Sequence, residues 1–110
     1  MELYLNATGL MWENAPGFNA LIIFCEHRYY GLSTPFGDDM MDNLEYLTVE
    51  QALYDYANVV TMLKEEYEAP VNTATIGFGG SYGGMLATWA RIKYPHVFDG
   101  VIAGSAPVVR

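Results

Sequence analysis

The stretch Gly79-Gly80-Ser81-Tyr82-Gly83-Gly84 constrains this chain more than any other. It sets one serine among glycines, between an apolar run at residues 73–78 and a helix-length run at residues 82–94. Glycines two before and two after a serine leave room for a turn in which a side chain would strike neighbouring backbone. The first run predicts a buried strand, and the second predicts a helix stopped by Pro95. The junction therefore turns a strand directly into a helix, with Ser81 at the corner.

Glycine supplies 11 of the 110 residues. A chain of this length and composition would contain G-x-S-x-G by chance roughly 3% of the time, treating residue usage as independent. The pattern alone is suggestive, and the strand before it and the helix after it add the context it requires. A glycine-rich turn that merely connects the two elements is the plain alternative.

Upstream, residues 8–15 predict a short helix, with Thr8 as its N-cap and Pro16 near its end. Residues 20–27 form a continuous apolar run that predicts a strand buried on both faces. Residues 28–47 are a long connection containing Gly31, Pro35 and Gly37, and long ordered connections are often functional. Thr48-Val49-Glu50-Gln51 is a capping box. It predicts a helix running to about Glu68, with Val49, Leu53, Tyr56, Val60, Leu63 and Tyr67 as its apolar stripe. A third strand is predicted over residues 100–104. Helices alternating with strands imply a parallel sheet with right-handed crossovers, an α/β fold.

Composition bounds the function classes. The length suits one small domain. Residues are 52% apolar and 16% charged, with a formal net charge of −8. Five Lys and Arg do not supply the basic face that nucleic acid requires. No apolar run approaches the roughly 20 residues of a membrane helix. Met1-Glu2 does not begin a signal peptide, so a secretory protein would carry its targeting segment upstream. The lone cysteine, Cys25, excludes an internal disulfide framework. Its apolar neighbours predict a buried, unreactive thiol, with a disulfide to a segment outside the chain as the lesser alternative.

A serine hydroxyl attacks a carbonyl only with a base to take its proton and donors to hold the oxyanion. Ser81 is the candidate nucleophile, and the backbone N–H of Tyr82 is the candidate oxyanion donor, aided by the positive end of the helix that begins there. Gly79, Gly80, Gly83 and Gly84 complete the nucleophile elbow. The acid and histidine of such a triad follow the serine in sequence. Only His96 does so, past Pro95, and it is expected at the opposite end of the sheet, as is Asp99. His27 ends the first predicted strand, where parallel sheets form sites, but Glu26-His27-Arg28 reads more simply as a hydrogen-bonding cluster fixing the loop that follows. Two distant histidines show no metal-ligand spacing, and the chemistry calls for no cofactor. The chain alone is expected to be inactive, because it lacks a credible base.

The series Glu26-His27-Arg28-Tyr29-Tyr30-Gly31, Ser33, Pro35-Phe36-Gly37, Leu47-Thr48, Glu50-Gln51-Ala52-Leu53, Gly79 to Ala87, Lys93-Tyr94-Pro95-His96 and Ser105-Ala106-Pro107 resembles the Pro-X carboxypeptidase and dipeptidyl peptidase II family of serine peptidases. The segment from Asn6 to Met11 is also similar to that family, so the likeness covers nearly the whole chain. It implies that residues 1–110 are a partial α/β-hydrolase domain. The preceding strand and its oxyanion loop would lie upstream, and the helical cap and triad Asp and His downstream. It implies cleavage of peptides next to proline, best in acid, in a lysosomal or secreted protein, and leaves a homodimer of the full-length parent open. Ser81 matches the family nucleophile. Met85 matches a residue beside the proline pocket, although by itself it reads as a helix core residue. Leu32 departs from the family's usual acidic residue. Asn6-Ala7-Thr8 fits the N-glycosylation pattern. An esterase or lipase of the same fold, or a binding protein that kept the fold, are the alternatives.

Overall fold

A computed structural model describes residues 8–108. They fall into two compact units, divided between Leu44 and Glu45.

In the first unit, helix α1 spans Gly9–Phe18. Thr8 stands at its N-cap position without a capping side-chain bond. Pro16 lies inside the helix rather than ending it. A proline removes its own N–H bond and crowds the carbonyl four residues earlier, and here it stands only two residues before the helix ends. Asn19, in the left-handed conformation at φ 51°, closes α1.

The strand expected over residues 20–27 does not form. No ladder among the described residues includes it, and a strand exists only when a neighbour pairs its backbone. Its burial still alternates: Ile22, Phe24 and Glu26 are half-buried, and Leu21, Ile23 and Cys25 are exposed. The alternation also sets the exposure of Cys25. Cys25 is exposed rather than buried, because it falls on the uncovered set of side chains. Phe24 stacks on Trp12 with ring centroids 6.2 Å apart.

The connection that follows is ordered by Glu26. Its Oε2 accepts from the Leu32 N–H at 3.0 Å, the Ser33 N–H at 3.2 Å and the Ser33 hydroxyl at 3.0 Å. Gly31 has φ +55°, and a Cβ there would run into the Glu26 carboxylate. Tyr29 is buried, and its hydroxyl donates to the Asn43 carbonyl. The expected fixing cluster is therefore built chiefly by one carboxylate. A 3-10 turn spans Gly37–Asp42, and another, Leu44–Tyr46, leads into the second unit.

The second unit is α2 (Val49–Glu66), β1 (Ile76–Gly80), α3 (Tyr82–Lys93) and β2 (Gly100–Gly104). Thr48 caps α2, its Oγ1 accepting from the Gln51 N–H at 3.2 Å. Leu53 of the expected stripe is buried, with Val49, Tyr56 and Val60 packed around it. Ala52 and Ala57 are also buried. Tyr67 lies beyond the helix and is 63% exposed. Leu53 and Ala57 of α2 meet Leu86 and Ala90 of α3 and Phe98 in one core.

β1 and β2 pair in parallel, from Ile76 opposite Gly100 to Gly80 opposite Gly104. Helix α3 joins them and packs on both. β1 starts at Ile76 rather than at residue 73, because residues 70–73 form a turn closed by the Thr73 N–H on the Pro70 carbonyl. Asp99 fastens the entry to both strands. Its carboxylate accepts from the Thr75 N–H at 2.8 Å, its own N–H donates to the Thr75 carbonyl, and its carbonyl accepts from Arg91 Nε. The chain is thus a mixed α/β structure with parallel strands, consistent with part of an α/β-hydrolase core.

Candidate active site

Parallel strands that feed helices leave their carboxyl ends open for a site. β1 ends at Gly80 and α3 begins at Tyr82, so Ser81 alone makes the corner. Its backbone sits at φ 53°, ψ −121°. A residue with a Cβ held there costs on the order of 1–3 kcal/mol, repaid only where the surroundings enforce it.

Four features enforce it. The Ser81 N–H donates to the Gly104 carbonyl at 2.9 Å, continuing the ladder one residue past the strand. The Ser81 carbonyl accepts from the Met85 N–H at 3.1 Å, the first bond of α3. Gly79 has no side chain where a Cβ would collide with the Gly83 carbonyl. Gly84 is buried, and a Cβ there would lie 2.9 Å from the Ala106 Cβ and 3.2 Å from the carbonyl oxygens of Gly79 and Gly104. Gly83 meets no such limit, since a Cβ there would face open space.

The Ser81 side chain is exposed and does not cap α3, so helix formation does not engage its hydroxyl. Tyr82 opens the helix with its side chain 48% exposed. Backbone N–H groups of a first helical turn lack helical acceptors and favour negative charge nearby. Met85 is half-buried and stands outside the core cluster.

The other candidates disperse. His96 follows α3 at its far end, its ring edge-on to Tyr94 at 6.1 Å. Twelve helical residues separate the ends of α3 by about 18 Å, too far for a proton to pass directly between His96 and Ser81. Asp99 is used at the entry edge of the strands, not at their carboxyl ends. His27 has Nδ1 2.6 Å from the Arg28 carbonyl and lies edge-on to Tyr30 at 5.2 Å. Asn6 lies outside the described residues. Among the described residues, no group of three or more His, Cys, Asp or Glu could hold a metal ion. No helix there is long and apolar enough to cross a membrane.

Sequence reasoning placed Ser105-Ala106-Pro107 in the family resemblance but not at the site. Ser105 has φ +50°, and Ala106 borders the first turn of α3. That proximity depends on strand pairing, and no local pattern reports it.

The chain is similar to human lysosomal Pro-X carboxypeptidase, with 48% identity over 108 residues, or 96% of this chain and 22% of that protein. The prolyl carboxy peptidase like protein 5 of Caenorhabditis elegans is 48% identical over 112 residues, covering 98% of this chain and 22% of that protein. Human thymus-specific serine protease is 44% identical over 94 residues, covering 86% of this chain and 18% of that protein. The chain thus spans about a fifth of the length of the curated relatives it matches. The family model described as serine carboxypeptidase S28 matches residues 3–110, and this chain belongs to that family.

Proposed function

We propose that these residues carry the nucleophile of a serine exopeptidase that hydrolyses peptide bonds next to proline through an acyl-enzyme on Ser81. The observation that carries the reading is the backbone of Ser81, at φ 53° between the carboxyl end of β1 and the first turn of α3. Such a corner, a nucleophile elbow, exposes the hydroxyl above the sheet where a base and a substrate carbonyl can reach it.

In this reading the Ser81 hydroxyl attacks the scissile carbonyl carbon as a base removes its proton. The carbonyl oxygen becomes an oxyanion held by the backbone N–H of Tyr82 and by a second donor outside this chain. Collapse expels the amine, and water then hydrolyses the ester on Ser81. Gly79 and Gly84 permit the turn, Gly80 and Gly83 complete the elbow sequence around Ser81, and Met85 borders the proline-binding pocket. Residues 1–110 form part of one α/β-hydrolase domain whose base and acid lie elsewhere in the full-length protein. No cofactor is required.

The names of the relatives supply the substrate class, a peptide with proline beside the cleaved bond, and point to a lysosomal or secreted protein. Asn6-Ala7-Thr8 as a glycosylation site fits that route. A homodimer of the full-length protein belongs to the same proposal.

The test is to treat the full-length protein with a fluorophosphonate probe and map the labelled peptide. Label on Ser81, with hydrolysis of a proline-containing peptide in preference to a simple acyl ester, is the expected result. Preference for the ester would make the protein an esterase of this fold. Absence of label would make it a binding protein.

A further inference from the structure

The first turn of α3 is held between two backbone segments, the end of β1 and the turn after β2. From the β2 side, the Gly104 carbonyl accepts the Ser81 N–H at 2.9 Å. On the same side, the Ala106 methyl lies against Gly84, where an added Cβ would come within 2.9 Å of it. That approach is closer than two carbons tolerate, so the space between Gly84 and Ala106 has no room for a further side-chain carbon. Ala106 is half-buried, and Gly84 is buried. Ser105, at φ +50°, makes the bend between Gly104 and Ala106, and the Val108 N–H donates to the Ala106 carbonyl at 2.9 Å.

We infer that Ala106 is a positioning residue for Ser81. Its methyl is the spacer that fixes how near the first turn of α3 stands to β2, and so where the Ser81 hydroxyl stands. The inference rests on Ser81 being the nucleophile. A methyl at residue 106 fills the gap over Gly84. A branched side chain there adds bulk beside the Gly84 backbone, which belongs to α3 and cannot rotate aside as a flexible side chain would. Moving α3 moves Ser81, whose carbonyl is hydrogen-bonded into that helix through Met85. A misplacement of about 1 Å at a reacting group costs on the order of 100-fold in rate.

The test uses the full-length protein with a proline-containing peptide as substrate and a fluorophosphonate as probe of Ser81. Ala106→Val is expected to lower kcat and the labelling rate by about 100-fold while KM stays within about twofold. Gly84→Ala is expected to lose activity in the same way. Combining Gly84→Ala with Ala106→Gly removes the shortest of the contacts the new Cβ makes and leaves those at 3.2 Å to the Gly79 and Gly104 carbonyl oxygens, so it should recover part of the loss. This rescue separates positioning from general damage to the fold, and it remains informative if Ala106→Val does not fold. Wild-type kcat in Ala106→Val overturns the inference, as does failure of Ala106→Gly to rescue Gly84→Ala. Full turnover by Ser81→Ala would overturn the nucleophile reading and this inference with it. A Ser81-dependent enzyme indifferent to residue 106 would overturn this inference alone.

Discussion

The Ser81 N–H donates to the Gly104 carbonyl at 2.9 Å, so the corner that presents Ser81 is hydrogen-bonded to the neighbouring strand. Its unusual backbone angles are therefore set by the sheet as well as by the glycines around it. The consequences can be measured one residue at a time.

Ser81→Ala removes the hydroxyl of the residue that forms that corner. In the full-length protein, kcat on a proline-containing peptide is expected to fall by on the order of 10⁶-fold. KM should change little, because as the proposed nucleophile the hydroxyl would act in the transition state. The purified 110-residue chain should show no turnover above the uncatalysed rate, since His96 stands at the far end of α3. Ester turnover by that chain, abolished by Ser81→Ala, would contradict this.

Gly79→Ala puts a methyl into the Gly83 carbonyl. Overpacking against backbone is expected to cost about 1–3 kcal/mol of stability and to end probe labelling. Gly77→Ala is the control. Its Cβ would meet a Val101 methyl at 3.2 Å, and a side chain can yield where a carbonyl cannot. Denaturant midpoints of the two variants should rank in that order.

Glu26→Gln removes the charge from an oxygen that accepts from two backbone N–H groups and one hydroxyl. Because the bonds are exposed, the expected loss is about 1 kcal/mol. It should appear as faster amide exchange at Leu32 and Ser33. Unchanged exchange at both would show that the loop does not depend on the carboxylate.

Leu53→Ala opens the core shared by α2 and α3 and is expected to cost about 2–5 kcal/mol. Tyr67→Ala, from the same sequence stripe but 63% exposed, should stay within about 0.5 kcal/mol. Chemical denaturation of both variants of the full-length protein decides between them. Equal losses would mean that Tyr67 is covered in the full-length protein.

Local order was largely legible in the sequence. The 18-residue helix α2 follows from an apolar period of 3.6 and from the cap at Thr48. The turn at Ser81 follows from glycines whose missing side chains coincide with the backbone of the next element. A Glu26-His27-Arg28 cluster fixing the loop was also expected, and the Glu26 carboxylate does hold Leu32 and Ser33. Two expectations failed for one reason. An apolar run at residues 20–27 suggested burial on both faces, which would have hidden Cys25. Burial, however, depends on what lies beside a segment, and hydropathy does not carry that.

Thus the sequence by itself determined the order of the elements from α2 to β2, the cap at Thr48, and the corner at Ser81, because each depends on residues within a few positions of one another. Only the tertiary structure decided that β1 pairs with β2 in this register. From that pairing come the acceptor for the Ser81 N–H at Gly104, the use of Asp99 at the strand entry, and the seat of Ala106 against Gly84. These contacts join residues about twenty positions apart. They exist only once the crossover through α3 has closed, and nothing in the local chemistry of either partner announces the other.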